Sequence, residues 1–220
     1  MPRTGDIPEN TTIFYDFETT GLNPFHDKVI EYTFIKYWGH IKKSTSSSLI
    51  NPQEPLDAKI TEITSITDEM LADQPTINDK SRDIFNFVTE EQRIEYSNHP
   101  EDSSLGIFNT YMIAHNSHNF DRFFFNRIIN KATSNQGIYH IYHIDTCHLA
   151  KLLLPKMRSV SLKSLCKLFH ITNGNHRSTG DTEALIKVYE KMIHMLSRRI
   201  GRESKELFDN PQIVFDILYT

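Results

Sequence analysis

The sequence predicts an α/β fold in which a mixed β-sheet is flanked by α-helices. Three strand-like segments follow one another early in the chain, and helical patterns dominate the remainder. That order argues against a regular alternation of strands and helices, which would build a fully parallel sheet. The 220 residues, of which 38% are hydrophobic and 11% aromatic, suffice for one domain with a sizeable core.

The first half of the chain is predicted to supply three strands and two helices. Residues 11–17 are β-branched and aromatic and run into a Thr-Thr-Gly turn, which indicates a strand. Residues 29–37 and 41–50 follow as a hairpin. Thr67 is expected to open a short helix, and apolar residues at helical spacing predict a longer helix over 77–92.

The second half is predicted to begin with an inserted loop over the polar, turn-rich residues 93–109. Two strands and four helices are then expected, in the order strand 110–114, helix 118–131, strand 141–144, a helix capped by Asp145 or Thr146, helix 161–169 and helix 181–199. We therefore expect an N-terminal extension over 1–10, one domain over 11–200, and a tail over 201–220 that adds a docked helix.

Composition excludes several classes of protein. No apolar run approaches the roughly 18 residues that a membrane span needs, and the first residues lack the apolar segment of a secretory signal. Two cysteines cannot build a disulfide framework. We therefore expect a soluble intracellular protein, in the cytoplasm or nucleus, with no membrane partner.

Charge is distributed unevenly along the chain, whose net charge is −4. Residues 1–150 hold 12 basic and 21 acidic residues, a net charge of −9, whereas residues 151–202 hold 11 and 3, a net charge of +8. A basic segment within an acidic protein suits a polyanionic partner, but it also suits two solvated, lysine-rich helix faces. Charge alone leaves both interpretations open.

Two carboxylates end the first predicted strand. Because side chains alternate faces along a strand, Asp16 and Glu18 point to the same side. Their repulsion raises a carboxyl pKa unless a cation lies between them, and oxygen ligands suit a hard divalent ion. An Asp-x-Glu pair is common by chance, but this one lies between an apolar strand and a Thr-Thr-Gly turn, which favours a metal site.

Three ordered segments resemble the motifs of the DEDD 3′–5′ exonucleases, which belong to the DnaQ-like superfamily. Residues 14–22 (FYDFETTGL) resemble the first motif, residues 114–121 (AHNSHNFD) the second, and residues 176–181 (HRSTGD) the third motif of the histidine branch, called DEDDh. The resemblance covers about residues 11–196. In the second motif, three residues separate the His-Asn pair from the Phe-Asp pair. This spacing is similar to that of TREX-type enzymes, and the proofreading-subunit branch is the alternative subfamily.

The resemblance implies an RNase H-like mixed sheet and a metal-dependent exonuclease that releases nucleoside 5′-monophosphates from the 3′ end of DNA, preferably single-stranded. Two divalent ions, Mg²⁺ or alternatively Mn²⁺, would be held by Asp16, Glu18, Asp121 and Asp181, and His176 would deprotonate the attacking water. The residues expected to contact substrate are Thr19, Thr20, Gly21, Leu22, His115, Asn116, Lys163, Lys167 and Arg177. Association with a polymerase and formation of a homodimer are further expectations.

Other interpretations stay open at this point. An enzyme that trims RNA on the same scaffold is one alternative, and a module that binds nucleic acid or a polymerase without cutting is another. Lys163, Lys167 and Arg177 either contact phosphates or are simply solvated. Taken singly, Asp181 suits a helix N-cap and His176 a surface loop.

A histidine- and cysteine-rich segment raises the question of zinc. His140, His143, Cys147 and His148 lie close together in sequence, with Cys166 and His170 further along. Their spacing matches no closed tetrahedral pattern. Packing of a strand and a helix explains these residues better than a zinc site does.

Overall fold

The computed structural model describes residues 10–98, 109–133, 139–172 and 176–220. Within these ranges, one five-stranded sheet has the order β3-β2-β1-β4-β5. The strands are β1 (Asn10–Thr19), β2 (Val29–Trp38), β3 (Ile41–Leu49), β4 (Asn109–Ala114) and β5 (Ile141–Asp145). Strand β2 is antiparallel to both of its neighbours, β1 and β3, whereas β4 is parallel to β1 and β5 is parallel to β4. The predicted mixed sheet is confirmed.

Helices cover both faces of this sheet. They are α1 (Ala58–Thr64), α2 (Asp68–Leu71), α3 (Ile77–Asn98), α4 (Asp121–Ala132), α5 (Thr146–Leu153), α6 (Leu162–Phe169), α7 (Ser178–Ile200), α8 (Ser204–Asp209) and α9 (Pro211–Tyr219). A 3₁₀ turn, Ser117–Asn119, precedes α4. Asp145 and Ser161 cap α5 and α6 by accepting hydrogen bonds from backbone N–H groups of the first turn.

Alternate residues of β1 face the two helical layers. Ile13, Tyr15 and Phe17 are buried in a core shared with α3 and α4, whereas Phe14 is buried in a core shared with α7. Side chains two residues apart share a face, so Asp16 and Glu18 continue the Phe14 side. Both carboxylates therefore lie on the side of the sheet that α7 covers.

The predicted loop over 93–109 is wrong at both of its ends. Helix α3 continues to Asn98, because no glycine or proline interrupts residues 77–98. Asn109 already belongs to β4, where it pairs with Asn10 of β1 in the parallel ladder. Residues 99–108 lie outside the described residues. The expected extension over 1–10 runs one residue too far, since Asn10 already begins β1, and residues 1–9 are not described.

The tail over 201–220 contains two helices rather than one. Pro211 starts α9 and restricts Asn210 before it, which separates α9 from α8. Leu207 and Val214 are fully buried in the same core as Phe14. Among the described helices, none combines the length and the hydropathy needed to cross a lipid bilayer.

Candidate active site

The candidate active site lies at the carboxyl end of β1, in the middle of the sheet. Carboxylate oxygens of Asp16, Glu18 and Asp181 lie within 4.8 Å of one another. A β-bulge between Glu18 and Thr19 breaks the register with β2 directly after the second acid. Asp181 comes from the first turn of α7, whose packing against β1 brings it to the strand end.

The fourth acid of the motifs, Asp121, is the first residue of α4 and is 3% exposed. The 3₁₀ turn Ser117–Asn119 connects the end of β4 to the start of α4. One carboxylate oxygen, Oδ1, is buried and has no hydrogen-bond partner among the described residues. A buried carboxylate oxygen without a donor is costly, so this atom is suited to a cation.

Burial raises the pKa values of these acids, and repulsion between neighbouring carboxylates adds to the shifts of Asp16 and Glu18. Burial, followed by repulsion from Asp181 and Glu31, raises the pKa of Glu18 to about 8. Burial also raises the pKa of Asp121 to about 7, although backbone hydrogen bonds oppose the shift. Burial and then repulsion from Asp121 raise the pKa of Asp16 well above its usual value. Near neutral pH, a cation is needed for all of these groups to ionise together.

The start of α7 is anchored to β2 by buried polar contacts. Arg177 donates from Nε and Nη2 to the Glu31 carboxylate, at 3.1 and 2.5 Å, and the Ser178 backbone N–H donates to it at 2.8 Å. The Thr33 hydroxyl lies 2.9 Å from the hydroxyls of both Ser178 and Thr179. These contacts set the position of Asp181 one turn later. Contact between Arg177 and a phosphate stays a prediction.

The turn after β1 is held by its own side chains. The Thr19 hydroxyl donates to the Gly21 carbonyl at 2.6 Å, and the Thr20 hydroxyl accepts the Lys28 N–H at 3.0 Å. A Cβ on Gly21 would lie 2.4 Å from Oδ2 of Asp27, so only glycine fits without displacing that carboxylate. Leu22, in contrast, is 82% exposed, as a side chain that meets a ligand must be.

His115 and Asn116, predicted to contact substrate, directly follow β4 in the chain and form hydrogen bonds with residues at the start of α5. His115 Nδ1 lies 2.8 Å from the Thr146 hydroxyl, and Asn116 has a left-handed backbone with φ of 61°. The Asn116 N–H donates to Asp145 Oδ1 at 2.9 Å. Burial lowers the pKa of His115, which keeps its imidazole neutral. The contacts position the second motif, and a substrate contact stays a prediction.

His176, Lys163 and Lys167 are all exposed. His176 has a left-handed backbone, with φ of 54°, and directly precedes the N-cap residue of α7. The two lysines lie one turn apart on α6. The structure therefore leaves all three accessible to a ligand, and their proposed roles stay predictions.

The segment considered for zinc does not converge on one centre within the described residues. His143 is buried with its Nδ1 3.4 Å from the Tyr15 hydroxyl, and Cys147 Sγ lies 3.4 Å from His115 Nε2. Burial lowers the pKa of His143 to about 3, as expected for a neutral imidazole in a core. Packing accounts for His143 and Cys147, whereas His148 faces a different group of side chains.

The family model described as RNase_T exonuclease matches residues 13–189, most of the chain. The chain belongs to the RNase_T exonuclease family. The predicted resemblance to DnaQ-like DEDD exonucleases is thereby confirmed.

Curated relatives of this chain are much longer proteins, of which the matching segment is a small part. The chain is 30% identical over 205 residues to the PolC-type DNA polymerase III of Bacillus subtilis, covering 93% of this chain and 13% of that protein. It is 32% identical over 192 residues to the PolC-type enzyme of Thermotoga maritima, covering 87% and 12%. The chain thus spans about an eighth of the curated relatives that it matches.

Solved structures share the fold. Exonuclease I of E. coli bound to a dT13 oligonucleotide superposes with a TM-score of 0.65 at 17% identity, covering 87% of this chain and 42% of that one. Exonuclease X in complex with 5′-overhanging duplex DNA gives a TM-score of 0.54 at 21% identity, covering 90% and 98%. The RNase H-like fold expected from the motifs is confirmed.

Sequence reasoning missed Glu31 and Thr33, which position the motifs, and it predicted Asp145 only as a helix cap and not as an acceptor for the second motif. Glu31 is 5% exposed and Asp145 is fully buried. The signal in the sequence was the charged residue within each apolar strand. A buried charge needs a partner, so such a residue indicates a structural contact. The sequence does not name that partner, because Glu31 and Ser178 are 147 positions apart.

Proposed function

We propose that this chain is a DEDDh 3′–5′ exonuclease that hydrolyses the terminal phosphodiester of DNA, preferably single-stranded, and releases nucleoside 5′-monophosphates. The observation that carries this function is the convergence of Asp16, Glu18 and Asp181 within 4.8 Å at the end of β1. The family match and the order of the motifs support it.

The donor set fits two divalent ions such as Mg²⁺. Asp16, Glu18, Asp121 and Asp181 offer only carboxylate oxygens, the ligands that Mg²⁺ and Mn²⁺ prefer, and Oδ1 of Asp121 has no hydrogen-bond partner among the described residues. Bound ions of this class supply Lewis acidity and favour the ionised form of a water.

The protein's own residues account for the other requirements of the reaction. His176 accepts the proton of the attacking water, a role for which an exposed imidazole is suited. The turn Thr19–Leu22 positions the 3′-terminal nucleotide, with the exposed Leu22 beside the last base. Lys163, Lys167 and Arg177 guide the phosphate backbone. The PolC-type relatives support a polymerase context, which co-purification with a polymerase subunit would test.

Product analysis tests this proposal. A 5′-labelled oligonucleotide should shorten stepwise from its 3′ end with Mg²⁺ and stay intact with EDTA. Asp181→Asn should abolish the shortening, whereas Glu183→Gln, an exposed acid on the same helix, should leave it unchanged. Matched single-stranded DNA, duplex DNA and RNA substrates decide the preference. Faster RNA shortening would favour the RNA-trimming alternative, and binding without cleavage would favour a binding module.

A further inference from the structure

A second group of metal-ligating side chains shares no residue with the acidic site. His118 lies in the 3₁₀ turn before α4, Asp145 ends β5, and His148 lies in the first turn of α5. Ligand atoms of these three side chains all lie within 4.8 Å of one another. We call them the His118 cluster.

The Asp145 carboxylate is fully buried and has one acceptor position left. Oδ1 accepts the N–H groups of Asn116 and Cys147, at 2.9 and 2.8 Å, and Oδ2 accepts the N–H of His118 at 3.0 Å. A carboxylate has about four lone-pair positions, so these bonds leave roughly one, on Oδ2.

The Nδ1 atom of His118 faces this remaining position. It lies 3.5 Å from Asp145 Oδ2, beyond the range of a good hydrogen bond. Nδ1 is itself buried and has no hydrogen-bond partner among the described residues. Burial lowers the pKa of His118, and His148 and Arg122 add to that effect while Asp145 opposes it. In the tautomer of neutral His118 that carries its proton on Nε2, Nδ1 and Asp145 Oδ2 are two acceptors that face each other.

His148 and Tyr219 close the remaining sides of the cluster. The rings of His118 and His148 stack with centroids 5.0 Å apart, and the Tyr219 ring lies 5.2 and 5.8 Å from them. The Tyr219 hydroxyl accepts the backbone N–H of Asp145 at 3.0 Å. Helix α9 thus shields the cluster from water on one side.

We propose that His118, Asp145 and His148 bind one transition-metal ion of the Zn²⁺ class. Imidazole and carboxylate together are common zinc ligands, whereas Mg²⁺ prefers oxygen ligands alone. Tetrahedral zinc with bonds of about 2.0–2.1 Å spaces its donor atoms by about 3.4 Å, close to the 3.5 Å between His118 Nδ1 and Asp145 Oδ2. A bound ion would tie the turn that leads to Asp121 to helix α5.

Zinc binding by the full chain tests this site independently of nuclease activity. The Asp16→Asn/Asp181→Asn protein serves as the background, because it removes two ligands of the acidic site. Titration of Zn²⁺ against a chromogenic chelator should give one bound equivalent. His148→Ala in that background should weaken binding at least about 10-fold, the lower range for loss of even an outer contact. His194→Ala, an exposed histidine on α7, should leave the affinity unchanged.

Histidine variants that fail to fold would not decide the question, so the intact background protein supplies a second measurement. Zn²⁺ should shift the imidazole C–H resonances of His118 and His148 in NMR spectra and leave those of His194 in place. Absence of stoichiometric zinc, or shifts confined to other histidines, would overturn the proposal. The same follows if His148→Ala and His194→Ala bind zinc equally well.

Discussion

Glu18 on β1 lies directly opposite Glu31 on β2 in the antiparallel register. Two like charges in that arrangement repel each other. Arg177 relieves the conflict, because its guanidinium pairs with Glu31 and also lowers the pKa of Glu18. A residue of the third motif therefore neutralises charge beside the first motif.

Removal of Arg177 should destabilise the fold. Among the described residues, Arg177→Gln leaves the buried Glu31 carboxylate with the Ser178 N–H as its remaining donor, and an under-satisfied buried group costs about 1–3 kcal/mol in the free energy of unfolding. The measurement is urea denaturation. Arg177→Gln/Glu31→Gln should be more stable than Arg177→Gln alone, since the unpaired charge is gone. Equal stability of wild type and Arg177→Gln would contradict the role of the pair.

Metal-free protein should lose stability as pH rises. The pKa values of Glu18 and Asp121 are raised to about 8 and about 7, above those of an unfolded chain, so the folded state holds extra protons between about pH 4 and 8. The stability that these bound protons contribute is complete below the pKa values of the unfolded chain. It is lost as pH rises through the pKa values of the folded state. The melting temperature in EDTA should therefore fall from pH 5 to 8.

Two comparisons sharpen this measurement. At the proposed site Mg²⁺ would bind the ionised carboxylates, so its stabilising effect should grow over the same pH range. Asp16→Asn should flatten the fall in EDTA, because it removes one of the repelling charges, whereas Glu183→Gln should not. A melting temperature in EDTA that rises toward pH 8 would show that the acids are not crowded.

The elements predicted from sequence follow local signals, and the missed features depend on distant contacts. The apolar β1 pattern and the Ser161 cap were readable from neighbouring residues. Helix α3 beyond residue 92 was missed because its polar end resembles a loop. The ion pair of Glu31 with Arg177 and the hydrogen bond from the Asn116 N–H to Asp145 each link residues that are far apart in the chain. A single sequence does not show which distant residues meet.

Gly21→Ala should weaken DNA binding without unfolding the protein. The added Cβ displaces the Asp27 carboxylate, which accepts the Asn23 N–H at 2.6 Å and so shapes the turn beside Leu22. Loss of one such bond costs about 0.5–1.5 kcal/mol, equivalent to a rise in KM of about 2–12-fold. The control is Asp27→Ala, which should reach a similar KM. The double variant should be no worse than Asp27→Ala, and additive effects would refute the shared mechanism.

Lys163 and Lys167 should contribute to the salt dependence of DNA binding. Each lost phosphate contact on a single strand should reduce the slope of log K against log salt by about 0.7. Fluorescence anisotropy measures the slope in the Asp181→Asn background, in which we expect no cleavage of the DNA. Lys191→Gln, an exposed lysine on α7, is the matched control. A slope unchanged by both α6 substitutions would mean that these lysines are solvated.

His176→Ala tests the general base. The variant should lower kcat by about 10²–10⁴-fold, the usual contribution of a positioned proton acceptor. Mg²⁺ affinity should be retained, because His176 is not a proposed ligand. A general base acts only in its unprotonated form, so any rise of kcat with pH in the wild type should be absent from the variant.

High pH provides the sharper discrimination for His176. Hydroxide can replace the deprotonated water, so the variant should regain part of its activity as pH increases. The comparison uses His194→Ala, whose pH profile should match that of the wild type. If His176→Ala instead loses Mg²⁺ affinity and keeps the wild-type pH profile, His176 acts as a ligand or a structural residue. The chain would then use another proton acceptor than the histidine branch of the family does.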